Sequence, residues 1–318
     1  MEGEKKQPGL YLLEHLNLDV EDQESAEDFY CKFLGCMRVA SRPREATLHS
    51  NCGYLTQFHT GDKMKRSQQW RGEIEIVYSS TGLQEVQNRL KRMIKQGLKI
   101  STKDRHNRNS NRFEKEEISH RRDISVIGPN GNTFFLREAN DSQSAFFENP
   151  RNGYRKFSKG SLPLGISSIT IFCAKNTSKS ISKFYLDIFQ FPVRYDHENT
   201  KATIFANNMA QEIHFVEKKD IDVDADNEEH MAIYIGNFES CFKRCESLGI
   251  IWINPRFTKL DASKTLEQAL EAEAFRIRDI KDPNTGTKLL RLEHEIRSLR
   301  HPKCPLKQYS INKKKAKL

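Results

Sequence analysis

The chain has 318 residues, enough for two domains of ordinary size. Charged residues make up 30% and the hydrophobic set 36%, and no apolar run approaches the roughly 20 residues that cross a bilayer, which speaks against a membrane-spanning chain. The net charge of +9 is spread over loops and the C-terminal tail, with no long basic stripe and no basic run interleaved with aromatics, which argues against a nucleic-acid partner.

Residues 1–9 form a polar tail. Over 11–20, Leu16, Leu18 and Val20 alternate with His15, Asn17 and Asp19, predicting a strand whose histidine faces away from the apolar residues. Ala26, Phe29, Tyr30, Phe33 and Leu34 lie on one stripe of a helix over 23–34. Short strands follow near 37–41, 46–50 and 53–59, then a strand over 74–78 and a helix over 84–95 stopped by Gly97. The charged stretch 101–122 reads as a loop insertion, and strands near 123–127 and 133–138 follow it. Residues 141–164, polar and rich in Gly, Pro, Ser and Asn, read as a linker.

The same order then recurs: strand 166–173, helix 178–189, strands near 193–197, 201–206 and 211–217, strand 231–235, helix 238–247 stopped by Gly249, and strands near 275–280 and 288–294. A second insertion, 256–274, holds a helix starting at Ser263, and 301–318 is a basic tail. Three pairs share one spacing: Phe29-Tyr30 with Phe184-Tyr185, His59 with His214, and Gly131 with Gly286 each differ by 155 residues. Equal spacing in three different elements indicates a duplicated module. The modules span 10–140 and 165–300, and each reads β-α-β-β-β twice.

The run Ala-x-x-Phe-Tyr-x-x-x-Leu-Gly after His15, the segment "HMAIYIGNFESCFKRCESLG" (230–249) and the closing Asp-Pro hairpin in "IRDIKDPNTGTKLLRLE" together resemble the vicinal oxygen chelate superfamily. This is the glyoxalase, bleomycin-resistance and extradiol-dioxygenase group, and the C-terminal block is similar to an uncharacterised glyoxalase-like branch of it. The resemblance implies an α+β fold of two tandem modules, each a paired βαβββ repeat forming a U-shaped sheet around a concave cavity. It also implies metal ligands from four strand positions, where the first and fourth strands of one module meet the fifth and eighth of the other.

Carried over one position at a time, the resemblance implies His15 on the first strand, His59 on the fourth and His230 on the fifth. The eighth-strand position, usually Glu, falls on Leu290. His294, on the same face as Leu290, is the nearby substitute, and Glu293, on the opposite face, is the alternative to it. The complementary combination is Ser168 (or Thr170), His214, Glu73 and Phe135, a degenerate second site. Asn17, Asp19, Gln57 and Tyr234 are candidate substrate-orienting residues. Imidazole ligands suit Zn, Fe, Ni, Co or Mn as a divalent metal. The stretch 292–302 has two readings, a pocket lined by His294, Arg297 and His301 or a salt-linked surface.

No nucleophile elbow, P-loop, Rossmann glycine pattern or His-Glu-x-x-His stretch is present, so no nucleotide cofactor is expected. The seven cysteines form no Cys-x-x-Cys pair, and the start of the chain is polar, which predicts a reduced, intracellular protein in the cytoplasm. The terminal Ala316-Lys317-Leu318 resembles a peroxisomal address. The expected function is a metal-dependent enzyme (lyase, isomerase or dioxygenase) acting on a small oxygen-chelating ligand, as monomer or homodimer. A metal-free binding module and an inactive scaffold are the alternatives.

Overall fold

The structure, a computed structural model, describes residues 7–39, 47–61, 67–95, 101–102, 123–128, 131–149, 161–226, 228–255 and 262–306. The first sequence repeat contains β1 (Leu10–Asn17), α1 (Gln23–Glu27), β2 (Met37–Arg38), β3 (Thr47–Cys52), β4 (Thr56–Gly61), β5 (Gly72–Tyr78), α2 (Ser80–Lys95), β6 (Ser101–Thr102), β7 (Asp123–Ile127) and β8 (Thr133–Glu138). After α3 (Asp141–Phe147) the second repeat contains β9 (Pro163–Ala174), α4 (Ser178–Phe184), β10 (Val193–Asp196), β11 (Lys201–Phe205), β12 (Glu212–Lys218), β13 (His230–Ile235), α5 (Phe238–Ser247), α6 (Leu266–Ala272), β14 (Ala274–Lys281) and β15 (Lys288–Ser298). In the last quarter an isolated bridge, Ile251 with Ile277, stands where the first repeat has β6.

Local chemistry explains the helix boundaries. Asp22 caps α1 by accepting from the Glu24 and Ser25 amides at 2.9 and 3.3 Å. Both repeats then widen into a π-helical turn, Asp28–Phe33 and Tyr185–Phe189, placed alike around the repeated Phe-Tyr pair. The widened turn carries Tyr30 and Phe33 in one copy, and Tyr185 and Phe189 in the other, into the core. Helix α2 starts at Ser80, four residues before the predicted 84, because the Ser79 hydroxyl accepts from the Gly82 amide at 3.1 Å. The linker is not all loop: Asn140 and Gln143 form a capping box that starts α3. A second box, Thr265 with Gln268, starts α6 at Leu266 instead of Ser263. Gly97, residues 103–122 of the first insertion and the C-terminal Ala316-Lys317-Leu318 lie outside the described residues.

The chain divides into two compact units, Met1–Leu16 with Thr170–Leu318, and Asn17–Ile169. In the first unit the strands run β14-β15-β13-β1 and β10-β11-β12-β9. Strand β13 is parallel to β15, with His230, Ala232 and Tyr234 opposite Glu293, Glu295 and Arg297. Strand β14 is antiparallel to β15, with Arg276 opposite Glu295. Paired residues project to the same side of a sheet. One side of this group of strands therefore carries His230, Glu293, Glu295, Arg297 and Arg276, while Met231, Ile233, Leu292, His294 and Ile296 take the other. Among the apolar residues, α5 buries Phe238, Cys241, Phe242 and Cys245, and Phe238 and Phe242 pack edge-on to Phe275 at 5.2 and 5.1 Å. Tyr185, Phe189, Phe191 and Phe215 form the adjoining aromatic core.

The second unit holds the strand runs β4-β3-β2 and β5-β8-β7-β6. Its core repeats the same solution: Tyr30 packs on Phe58 at 5.1 Å, Phe29 on Phe134 at 5.2 Å, and the Tyr78 hydroxyl donates to the Leu34 carbonyl.

Candidate metal centre

His15 and His230, on neighbouring strands of the first unit, place their rings 5.3 Å apart. Their Nε2 atoms both turn toward Glu295: Oε2 lies 3.2 Å from His230 Nε2 and 3.9 Å from His15 Nε2. The three side chains are buried, and their ligand atoms lie within 4.8 Å of one another. Each ring also has a carboxylate at its far nitrogen. His15 Nδ1 is 2.5 Å from Glu14 Oε2, and His230 Nδ1 is 3.4 Å from Glu293 Oε1.

That arrangement suits a metal. At His15, the Glu14 carboxylate at Nδ1 draws the imidazole proton to that nitrogen and leaves the Nε2 lone pair to coordinate; at His230, Nδ1 is shared between Glu293 and Arg276. Two imidazoles and one carboxylate are a donor set for divalent transition metals, with further positions open to substrate or water. Burial lowers the His15 pKa, outweighing the nearby Glu14, so the ring is neutral at neutral pH as ligation requires. Burial alone would raise the Glu295 pKa, but Arg297 and Arg276 hold it well below the usual carboxylate range.

The arginines complete a closed network. Arg276 gives Nη2 to Glu295 Oε2 at 2.7 Å and Nη1 to Glu293 Oε1 at 2.5 Å. Arg297 pairs with the other oxygen of Glu295, reaches Glu14 at 3.2 Å and donates to the Tyr234 hydroxyl oxygen at 3.1 Å. Asn254 donates to both oxygens of Glu293. The cluster sets three carboxylates, Glu14, Glu293 and Glu295, against two guanidiniums, Arg276 and Arg297, an excess of one acidic group that favours a cation. A cavity of about 190 Å³ adjoins Glu293, bordered also by Asn254, Trp252, Arg278, Arg291 and Glu229.

Of the expected residues the structure brings two together, and Glu295, which is outside the expected set, lies beside them. His15 and His230 belong to the cluster. His59 lies in the other unit, stacked on His49 at 3.7 Å and bonded to Gln57. Leu290 and His294 do not face the histidines. Leu290 is wholly buried opposite Ile280, and His294 sits among the aromatic residues, with Nε2 2.6 Å from the Tyr185 hydroxyl and Nδ1 donating to the Leu292 carbonyl. Counting four residues from Gly286 selects the wrong face of β15. Glu293 is on the histidine side but bonds Arg276 and Asn254, and the convergent carboxylate is Glu295. Its signal was legible as alternation: Leu290, Leu292 and Ile296 form one apolar face, so Glu293, Glu295 and Arg297 must form the other.

Of the substrate-orienting candidates, Tyr234 borders the cluster through Arg297. Asp19 instead fastens a turn, accepting from the Gly61 amide at 3.2 Å, and Gln57 bridges Asn51 and His59. Asn17 is half-buried at the end of β1. In the complementary combination, His214 pairs with Glu212 and Thr203, Phe135 is buried between Glu75 and Ser125, and Glu73 and Ser168 are half-buried. None of these four belongs to a metal-capable group among the described residues.

No family model matches the sequence, and no curated protein matches it significantly. Solved structures do match in fold. A candidate dioxygenase from Bacillus subtilis superposes with a TM-score of 0.54 at 10% identity, over 92% of this chain and 86% of that one. Glyoxalase I from Zea mays superposes with a TM-score of 0.51 at 10% identity, over 90% of this chain and 92% of that one. Two βαβββ pairs in tandem align along nine-tenths of the chain with these proteins, so this chain shares their fold.

Proposed function

We propose that the protein is a metal-dependent enzyme of the vicinal-oxygen-chelate type, with His15, His230 and Glu295 as its metal ligands and a small oxygen-bearing molecule as substrate. The observation that carries this reading is the convergence of two buried imidazoles, each backed by a carboxylate, on one carboxylate oxygen. Burying five charged side chains costs more stability than an apolar core of the same size, so such a cluster points to function over folding. A metal bound there would act as a Lewis acid, polarising neighbouring oxygens of a chelating substrate.

The protein's own groups have definable tasks. Glu14 orients His15 and Glu293 faces the far nitrogen of His230. Burial, reinforced by Glu14, raises the Tyr234 pKa far above neutrality, so its phenol stays protonated. Its oxygen accepts from Arg297, which leaves the O–H to donate to a substrate oxygen. The choice among lyase, isomerase and dioxygenase chemistry depends on the substrate. One observation favours a second reading: the two arginines already satisfy Glu295, so the pocket could hold a small ligand without metal.

Titrating chelator-treated protein with Co²⁺ separates the two readings. The metalloenzyme reading expects about one ion per chain and visible absorption bands from a three-ligand site. Glu295→Gln, which keeps an acceptor oxygen for the arginines, should abolish both. Wild-type protein that takes up less than about a tenth of an ion per chain after supplementation would refute the metal reading.

A further inference from the structure

We infer that Arg276 is a built-in competitor of the metal, an internal cation that occupies the site in the metal-free protein and sets the affinity with which a divalent ion displaces it. The inference rests on the assignment of His15, His230 and Glu295 as ligands.

The geometry is specific to Arg276. The carboxylate oxygen toward which both imidazoles turn is Glu295 Oε2, and Arg276 Nη2 holds that same oxygen at 2.7 Å. Arg297 holds the other one, Oε1. A metal and Arg276 would share one anionic atom, whereas a metal and Arg297 would divide the carboxylate between them. The second amine of Arg276 takes Glu293 Oε1 at 2.5 Å, the oxygen facing His230 Nδ1. Arg276 Nη1 also lies 3.4 Å from that ring nitrogen.

His230 therefore stands between two proton arrangements. With the proton on Nε2, that nitrogen carries its hydrogen on the side of Glu295, 3.2 Å away, and Nδ1 accepts from Arg276. With the proton on Nδ1, it donates to Glu293 and frees the Nε2 lone pair for a metal. Arg276 favours the first arrangement by donating to Nδ1 and by engaging Glu293, and metal binding requires the second. It thus opposes the ion in three ways: by position, by charge and through the His230 tautomer. Arg297 reaches Glu14, the carboxylate behind His15, and does not contact His230 in this way.

The test is Co²⁺ affinity by calorimetry and by visible absorption, on the full-length chain stripped of metal. Arg276→Met, close in length and uncharged, should tighten binding by about tenfold or more, the scale on which outer partners tune a metal site. Arg297→Met should not tighten it. A residue with a purely structural role would weaken binding when removed, so tightening distinguishes the two cases. If Arg276→Met does not fold, Arg276→Gln keeps a donor to Glu293 without the charge and should show the same tightening. Equal or weaker binding in the folded Arg276 variant, with the wild type still binding about one ion, would overturn this inference and leave the ligand assignment standing. Absence of binding in both the wild type and the variant would overturn the ligand assignment itself, and this inference with it.

Discussion

Two histidines on adjoining strands show how environment divides one residue type into two roles. His230 lies on the charged side of its strand among Glu293, Glu295 and Arg276. His294, opposite Met231 in the pairing, lies among Tyr185 and Phe189, and burial pushes its pKa down to about 3. The unfolded His294 titrates near 6.5, so between those values the unfolded chain holds a proton that the folded chain does not. Stability present above pH 6.5 is therefore lost as pH falls toward 3, at about 1.4 kcal/mol per unit from this residue. Urea unfolding from pH 7 to pH 4 should show that slope, and His294→Gln should flatten it. An unchanged slope in the variant would assign the acid sensitivity elsewhere. The site carboxylate adds to this at lower pH. Glu295, held ionised below its ordinary range, contributes stability that disappears as pH drops beneath that range.

At the scale of elements, the duplicated pattern reproduces its irregularities along with its regular parts. The π-helical turns over Asp28–Phe33 and Tyr185–Phe189 both follow a regular helix and both bury a tyrosine. Two glycines at turns, both with positive φ, behave differently. Gly53, between β3 and β4, has φ +73°, and an added Cβ would lie 1.7 Å from the Leu164 carbonyl oxygen. Gly249, at the end of α5, has φ +61° with nothing near the added atom. Gly249→Ala should cost only the left-handed backbone, about 1–2 kcal/mol. Gly53→Ala adds a backbone clash and should cost roughly 3 kcal/mol or more. Denaturation midpoints of the two variants test the difference, and equal losses would mean that β9 gives way without cost.

For the whole molecule, the buried charges and the proposed metal ligands all reside in the first unit. An ion that binds only the folded chain stabilises it by mass action, by about 2.7 kcal/mol at a hundredfold excess over its Kd. Thermal melting with Co²⁺ against melting with chelator should show that gain, and His15→Ala should remove it. A melting temperature indifferent to metal in the wild type would contradict the ligand assignment. No helix among the described residues is long and apolar enough to cross a membrane.

The amino-acid sequence by itself determined the duplication, the order of nearly every strand and helix, and the candidacy of two of the three convergent side chains, His15 and His230. These rest on local information: alternation of side chains along a strand, the stripe of a helix, and equal spacing between copies. Alternation already separates Glu293, Glu295 and Arg297 from Leu290, Leu292 and Ile296, but only the tertiary structure decided which of those two faces meets the histidines. Whether Leu290 and His294 or Glu293 and Glu295 face the histidines depends on which side of β15 the helices cover. That choice is made by long-range packing and strand register, where a shift of one residue exchanges the faces. The same holds for the arginines: Arg297 meets Glu14 across 283 residues of chain, and Arg276 meets Glu295 only because β14 and β15 pair in the observed register. Ion pairs of this kind leave no periodic trace in a sequence, and they are what turns a pair of histidines into a candidate centre.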